Sequence, residues 1–250
     1  MAGFKETPRQ KMISMMYLVL TALLALNVSV DILDAFATVN DGLESSNSSV
    51  QRKIEDYYST FQQQYNQQGA KVAEYWAKAQ DIRVKTDEII NYIEKEIKLP
   101  LVLRTDNITE EEFLNPKDES KALLRNKEKI NPKNRRVFYE FNLKNVDAKD
   151  KYDEPTNFMI NEGKAAELRE KIDAYRQYII NTVTSACIMN YGTKVGLLTS
   201  TDANGNPIHY YNANKEELDW ENKNFYHVIM AADIAILNKI IGEIQTTEFD

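Results

Sequence analysis

The feature that most constrains this chain is an uncharged apolar stretch close to its amino terminus. Residues 12–30 have the sequence MISMMYLVLTALLALNVSV, without a single Asp, Glu, Lys or Arg. Folded as one α-helix, the stretch is about 28 Å long, which is close to the thickness of the hydrocarbon core of a bilayer. The stretch therefore predicts a transmembrane helix over residues 12–30.

The residues on either side of the stretch predict where the helix begins and how it is oriented. Thr7, Pro8 and Gln10 form the pattern of a capping box with proline at the first helical position. Basic residues precede the stretch and acidic residues follow it: Lys5, Arg9, Lys11, and then Asp31, Asp34, Asp41 and Glu44. Because basic flanks stay in the cytoplasm, we expect residues 1–11 inside the cell and residues 31–250 on the other side of the membrane.

A cleaved signal peptide is the alternative, since a short basic segment followed by an apolar core describes both. The apolar core here is longer than that of a typical signal peptide. The sequence LALNVSVDIL also offers no small-x-small cleavage site before the acidic residues begin. The pattern favours a retained anchor.

Composition narrows the class of protein. A chain of 250 residues has room for one membrane helix and one or two compact domains. Its net charge of −7 argues against nucleic acid as a partner. The single cysteine, Cys187, excludes an intrachain disulfide, and eight glycines and six prolines leave room for long helices. We expect an all-α fold held together by packing.

Apolar residues recur at steps of three and four from Ile32 onward, which is typical of amphipathic helices. The first stripe consists of Phe36, Val39, Leu43, Val50, Ile54, Tyr57, Phe61 and Tyr65, and a second stripe runs from Val72 to Ile97. Gly42 with the following SSNSS, and Gly69, are the predicted bends. The stripe suits either a coiled coil or a bundle that folds back at Gly69, and we favour a bundle.

The rest of the chain is less regular. Prolines and charges mark residues 99–160 as an irregular insert, with a short helix predicted in ESKALLRNKEKI and an extended segment in RRVFYEFNL. Regular helix is predicted again from about Glu162. TDANGNP predicts a turn, and a last helix is predicted from about Asn214.

Catalytic chemistry has little support in the sequence. The two histidines, His209 and His227, lack a cysteine or carboxylate at metal-ligand spacing. The acidic run from Glu110 to Glu112 suits a solvated helix start. No phosphate-binding loop or nucleophile motif occurs. We therefore expect no enzyme activity, no metal and no cofactor.

The membrane helix carries a polar stripe. At 100° per residue, Gln10, Ser14, Tyr17 and Thr21 lie within roughly 60° of one another. Hydroxyls facing lipid are disfavoured, so the stripe predicts another helix or a hydrated path beside it. Helix–helix packing in a dimer is one interpretation, and contact with an ion-conducting partner is the other. Arg9 also has two interpretations. It pairs with a carboxylate of a partner, or it only determines the orientation of the helix while its side chain extends towards the lipid headgroups.

Two segments resemble one family. RQKMISMMYLVLTALLALNVSVDILDAF resembles the amino-terminal signature of the gliding-motility protein M family, GldM, called PorM in relatives that do not glide. DWENKNFYHVIMAADIAILNKI resembles the second recognisable segment of that family, although a proline is expected there near Ile229. The two segments bracket nearly the whole chain.

The resemblance implies an inner-membrane subunit of the type IX secretion and gliding apparatus. Such subunits are homodimers whose single helices lie inside a ring of two-helix L-type subunits, and the complex converts proton-motive force into motion. Arg9 matches the basic residue that faces an intramembrane glutamate of an L-type subunit, and Tyr17 lies on the same helix. Family members continue with β-sandwich domains that reach an outer-membrane-associated secretion ring. The resemblance therefore implies that this chain is the amino-terminal part of a longer protein.

Two other classes remain open from the sequence. One is a passive membrane-anchored scaffold of the periplasm, which only tethers secretion components. The other is a helical sensor domain, although the predicted cytoplasmic segment of eleven residues, 1–11, is too short for a signalling domain.

Overall fold

The computed structural model describes residues 7–26, 30–185 and 195–250. The amino-terminal helix α1 spans Pro8–Leu26, and every side chain described in it, through Thr21, is exposed. Residues 27–29, at the end of the predicted transmembrane segment, lie outside the described residues. In the described part of the chain, no helix combines the length and the apolar character needed to cross a membrane.

A long helix, α2, spans Val30–Tyr92 and is kinked at Gln68, where the backbone leaves the helical region (φ −131°, ψ 35°). The kink divides α2 into a first arm, residues 30–67, and a second arm, residues 69–92. The two arms pack against each other: the Phe61 and Trp76 rings are 5.2 Å apart, and the Tyr58 hydroxyl donates to the Ala79 carbonyl oxygen at 2.9 Å. The predicted reversal next to Gly69 is confirmed, whereas the bend predicted at Gly42 is wrong because the helix continues through it.

The first arm buries a different face from the one predicted. Val39 and Tyr57 of the predicted stripe are 55% and 64% exposed. Ile54 of the stripe is buried, but the other buried positions lie beside the stripe and include polar residues: Leu33, Ala37, Asn40, Glu44 and Asn47. The prediction selected an apolar face, whereas the bundle uses a mixed one.

The second arm continues without a break into one π-helical turn, Ile93–Lys98, and then into α3, Leu99–Asp106. A π-helical turn is often associated with functional positions. Here Glu94 and Lys98 are both buried within the turn. The helix ends at Asn107, whose left-handed conformation (φ 54°) terminates it.

The predicted irregular insert is part of the core. It contains α4, Glu110–Leu114, with a capping box formed by Thr109 and Glu112. The predicted helix in ESKALLRNKEKI is wrong: only two short 3₁₀ turns occur there, and Leu124 pairs antiparallel with Phe141 of the predicted extended segment. Aromatic and aliphatic side chains of this region join the main core: Phe113, Phe141, Leu143, Val146, Phe158 and Met159.

The remaining elements complete the bundle. They are α5 (Asp153–Thr156) with a following π-helical turn (Asn157–Asn161), α6 (Lys164–Ser185), β1 (Tyr210–Tyr211), β2 (Glu217–Leu218), α7 (Trp220–Phe225) and α8 (Met230–Phe249). Strands β1 and β2 pair antiparallel. The predicted last helix is interrupted at His227 (φ 53°), so that α7 and α8 are separate. Helices dominate the described residues, which confirms the all-α prediction.

Helix α8 runs along the hairpin and closes the core. The Asn238 side chain meets the first arm at Asn40, and the Phe249 ring lies 4.9 Å from that of Tyr57, so α8 is parallel to the first arm. Helix α6 packs on the second arm, where the hydroxyls of Tyr175 and Thr86 are 2.8 Å apart. The hairpin, α6 and α8 thus form one bundle around a common core.

Candidate functional site

The predicted membrane-partner site lies on α1. The capping box is present: the Thr7 amide donates to the Gln10 side-chain oxygen at 3.0 Å, and the Gln10 amide donates to the Thr7 hydroxyl at 3.4 Å. The Thr21 hydroxyl donates to the Tyr17 carbonyl oxygen at 2.6 Å. The Gln10 side-chain oxygen and the Thr21 hydroxyl therefore both have partners within four residues in the chain.

The other predicted residues of the site make fewer contacts. Neither Ser14 nor Tyr17 donates a side-chain hydrogen bond to another described residue, and Tyr17 is 67% exposed. Arg9 forms no ion pair within the described part of the chain. Helical spacing brings Gln10, Ser14, Tyr17 and Thr21 onto one side of α1. Their role towards a partner stays a prediction.

A second candidate site, which the sequence reasoning missed, is a buried polar layer inside the bundle. Its centre is Lys98, whose ammonium donates to Glu94 Oε1 at 2.8 Å, to Asn238 Oδ1 at 2.8 Å and to the Tyr139 carbonyl oxygen at 3.1 Å. An ammonium has three donors, and all three are used here. Lys98 and Glu94 are each 1% exposed. The layer therefore joins the π-helical turn after the second arm, α8 and the loop before Phe141.

The layer extends to the first arm through amide side chains. The Asn238 amide nitrogen donates to Asn40 Oδ1 at 2.7 Å and to Glu44 Oε1 at 3.2 Å, and Asn40 donates to the same Glu44 oxygen at 2.9 Å. Arg125 forms an ion pair with the other oxygen of Glu44 and with Asp41. We use the name polar layer for Asn40, Glu44, Glu94, Lys98 and Asn238.

The electrostatics of the layer reflect its burial. Burial raises the pKa of Glu94, and the ammonium of Lys98 partly opposes this shift. Burial likewise raises the pKa of Glu44, opposed by Lys98 and Arg125. Buried charges are tolerated when they are paired and hydrogen-bonded. The layer satisfies that condition with partners from four segments that are distant in the chain.

A second buried cluster lies closer to the hairpin turn. Arg136, 5% exposed, donates to Asp87 and Gln51 at 2.7 Å each and to both carboxylate oxygens of Glu248. Burial alone would lower the pKa of Arg136, but the carboxylates of Glu248 and Asp87 outweigh it and raise that pKa. This cluster joins both arms of α2 to the last turn of α8.

The two clusters line a common cavity of about 690 Å³ between the arms, α8 and residues 129–140. Its charged lining includes Glu44, Glu94, Lys98 and Arg136, all of which already have partners of opposite charge. No group of three His, Cys, Asp or Glu residues in the described ranges is placed to hold a metal ion. The arrangement cross-links helices. Arg52, which also lines the cavity, forms no ion pair among the described residues, and its guanidinium donates to the Ser49 hydroxyl at 3.2 Å.

These features define a class of protein: an all-α bundle, locked by buried ion pairs, that follows an apolar helix whose described side chains, through Thr21, are exposed. Residues 31–250 match the family model described as the GldM N-terminal domain. The chain therefore belongs to the GldM family, as the two sequence segments predicted, and this membership assigns it a role related to gliding motility and type IX secretion. The comparison with curated proteins finds no match.

Proposed function

We propose that this chain is the inner-membrane motor subunit of a type IX secretion and gliding apparatus, with residues 12–30 crossing the membrane. The observation that carries the proposal is α1. It is an apolar helix with no charge from Met12 onward and with every described side chain exposed. A helix that is apolar on all sides needs either a protein core or a bilayer around it.

The orientation follows from the flanking charges. Arg9 and Lys11 lie at the start of α1, and Asp31 and Asp34 lie at the start of α2. Basic residues favour the cytoplasmic side. Under this proposal, the bundle of residues 31–250 projects into the periplasm.

The proposed energy-converting contact involves Arg9. A guanidinium at the cytoplasmic edge of the bilayer can pair with an intramembrane carboxylate of a two-helix partner subunit, and protonation of that carboxylate breaks the pair. The polar stripe of Gln10, Ser14, Tyr17 and Thr21 provides the surface that faces the same ring of subunits. Alternating formation and loss of such pairs converts proton entry into movement of α1.

The bundle is suited to transmit that movement. The first arm of α2 begins at Val30, four positions after the end of α1 at Leu26, and extends to the hairpin turn at Gln68. Arg136 connects this arm, through Gln51, to Asp87 of the second arm and Glu248 of α8. Asn238 of α8 accepts from Lys98 and donates to Asn40 and Glu44 of this arm. Because these contacts are buried and directional, the bundle moves as a unit rather than bending between helices. Further domains of the family would carry the motion to the outer-membrane-associated ring.

The decisive experiment replaces Arg9 in the chromosomal gene. Arg9→Ala should abolish secretion and gliding, whereas the amount of protein, its membrane fraction and its dimer remain unchanged. Lys11→Ala is the matched control because it removes the same charge from the same flank, two residues further along α1. Purification of the unmodified protein should also recover a small two-helix membrane protein with an intramembrane carboxylate.

The passive scaffold gives the opposite expectation. A tether needs only an anchored helix, so Arg9→Ala would then secrete and glide normally. Equal loss of function in Arg9→Ala and Lys11→Ala would assign both residues to topology alone. Either result would contradict the proposed motor contact.

A further inference from the structure

The cavity between the two buried clusters has walls from distant parts of the chain. One wall is a single face of the first arm, whose lining residues follow one another at steps of three and one: Glu44, Asn47, Ser48, Gln51, Arg52 and Glu55. The other wall is made largely by residues 134–140. We use the name central cavity for this space of about 690 Å³, a volume typical of sites for small organic molecules.

The second wall is fixed to the helices. Asn91 of the second arm holds its backbone twice: the Asn91 amide nitrogen donates to the Arg135 carbonyl oxygen at 2.8 Å, and the Asn91 oxygen accepts from the Val137 amide at 2.9 Å. Beside this wall, the Lys129 ammonium donates to the Ser48 hydroxyl of the first arm at 2.7 Å. The central cavity is therefore formed in advance, and binding does not require ordering of its walls.

The carboxylates of the central cavity are all paired. The pairs are Glu44–Arg125, Glu55–Arg83, Glu94–Lys98 and Glu140–Lys129. A second anion in the cavity would therefore meet carboxylates whose charge is already compensated.

The cations of the lining exceed the carboxylates by one. Arg135 and Arg136 share the carboxylates of Asp87 and Glu248. Arg52 is the cation that remains, and none of the described residues supplies it with a carboxylate. The central cavity therefore has one positive charge without a counter-charge in the described part of the chain.

Arg52 is suited to bind a carboxylate. A guanidinium has five N–H donors in a fork that matches the two oxygens of a carboxylate. One donor of Arg52 goes to the Ser49 hydroxyl at 3.2 Å, and the described residues accept no hydrogen bond from the others. The residue is exposed, so it lies at the opening of the cavity, where a ligand enters.

Two further lining residues suit the rest of a ligand. Phe138 is half-buried, and its ring packs partly against the core while it also lines the cavity as an apolar surface. The Asn134 amide nitrogen donates to the Glu128 carbonyl oxygen at 2.9 Å, whereas the Asn134 side-chain oxygen accepts no hydrogen bond from the described residues. This oxygen can accept a hydrogen bond from an N–H or O–H group of a ligand.

We infer that the central cavity binds a small organic molecule with one carboxylate. The carboxylate pairs with Arg52, while the rest of the molecule packs on Phe138 and donates to Asn134. A single uncompensated charge favours a monocarboxylate over a phosphate dianion, whose second charge would have no cation. Two kinds of molecule have this chemistry: a short peptide with a free carboxyl terminus, and an acidic sugar. The inference goes beyond the proposed function, because neither Arg9 nor the membrane is part of it.

Isothermal titration calorimetry of the full chain in detergent, with two pairs of probes, tests the inference. One pair is N-acetyl-dialanine and its carboxamide, and the other is N-acetylmuramic acid and N-acetylglucosamine, which lacks the carboxylate. In at least one pair, the acid should bind about tenfold more tightly than its neutral counterpart, as expected for a charge-assisted hydrogen bond. The pair that shows this difference identifies the source of the carboxylate. Equal or undetectable binding within both pairs would overturn the inference.

Arg52→Gln should remove the preference for the acid, so that its affinity falls by about tenfold to that of the neutral probe. Lys53→Gln is the matched control, because it removes the same charge from an exposed neighbouring position that does not line the cavity. The affinity of this control should change by no more than about twofold. Equal losses in the two variants would indicate general attraction by the charge of the first arm, and they would contradict a site at Arg52.

Asn134→Ala tests whether the ligand enters the cavity. Both probes of a pair donate to Asn134, so both affinities should fall by about threefold to tenfold while their ratio stays the same. An unchanged affinity in Asn134→Ala, together with a loss in Arg52→Gln, would place the carboxylate on an exposed arginine outside the cavity, contrary to the inference. Arg9→Ala should bind the acid normally, since none of the described residues of α1 lines the cavity. Failure of the proposed motor contact would therefore not alter these results.

Discussion

Helices α1 and α8 have similar lengths, 19 and 20 residues, and both are rich in apolar side chains. Their surroundings are opposite. The described side chains of α1 are exposed throughout, whereas most of α8 is buried against the hairpin. Apolar composition alone therefore does not distinguish a core helix from a proposed membrane helix.

The polar residues make the distinction. Helix α8 carries the buried residues Asn238 and Gln245 and the buried side chain of Glu248, and each has a hydrogen-bond partner on α2 or on Arg136. The polar residues Gln10 and Thr21 of α1 bond within α1 itself. The fold supplies partners for these three polar side chains of α8. On α1, the Gln10 side-chain oxygen and the Thr21 hydroxyl have partners close by in the chain instead.

The largest expected effect comes from breaking the layer that holds α8. Lys98→Met leaves the buried carboxylates of Glu94 and Glu44 without their common cation. We expect a loss of about 3 to 5 kcal/mol in the free energy of unfolding, the usual cost of breaking a buried ion pair. Urea denaturation of the full chain in detergent, followed by circular dichroism, measures it.

The hairpin contains a matched control. Glu74 and Lys78 have the same four-residue spacing as Glu94 and Lys98 and an ion-pair distance of 3.0 Å, but the Glu74 side chain is 76% exposed. Lys78→Met should cost no more than about 0.5 kcal/mol. Similar losses in Lys98→Met and Lys78→Met would show that the layer does not stabilise the fold.

Local signals in the sequence were sufficient for the ends and reversals of helices. The capping box of Thr7 and Gln10, the reversal beside Gly69 and the turn at Asp202 each depend on residues within a few positions of one another. Such interactions form in any context that permits the local structure. They could therefore be predicted from one sequence.

The sequence alone could not predict which face of the first arm is buried. Phe36, Val39 and Leu43 form the more apolar side of the first arm, yet the bundle buries Asn40 and Glu44. These two residues become buried because Asn238 and Arg125, far away in the chain, supply their hydrogen bonds. The only local signal was the four-residue spacing of Glu94 and Lys98, and Lys95 and Glu96 between them carry the same charges. The predicted helix of residues 119–130 failed for a related reason, since pairing of Leu124 with Phe141 outweighed local helix propensity.

A smaller effect on stability is expected from Asp233 of α8. Helix α1 contains no acidic residue with which it could be compared. Its side chain is fully buried, and neither carboxylate oxygen has a hydrogen-bond partner among the described residues. Burial raises the pKa of Asp233 well above its ordinary value. Below the ordinary pKa the group is protonated in both states and has no effect on stability. As the pH rises, the unfolded chain releases the proton first, and the folded state loses stability until the pH passes the folded pKa.

Asp233→Asn removes this dependence. The variant and the unmodified chain should have similar free energies of unfolding near pH 4. Above that pH, the free energy of unfolding of the unmodified chain should fall relative to that of the variant by about 1.4 kcal/mol per pH unit, until the folded pKa is reached. Urea denaturation at a series of pH values measures the difference. Asp147→Asn, at an exposed position, should leave the profile unchanged. A difference that does not vary with pH would mean that Asp233 is not buried as a neutral acid.

The smallest effect concerns the starts of the two helices. Helix α1 is capped by its own Thr7, whereas the first amides of α8 donate to the carbonyl oxygens of Lys151 and Lys149 at 2.9 and 3.0 Å. Thr7→Ala should therefore destabilise only the first turn of α1, by about 1 kcal/mol. Hydrogen exchange of the full chain in detergent should show faster exchange at residues 9–11 and no change at residues 230–231. Thr109→Ala, which removes the equivalent cap of α4, is the positive control. Faster exchange at the start of α8 in Thr7→Ala would mean that the two helices are coupled, contrary to the separation between an exposed helix and a core helix.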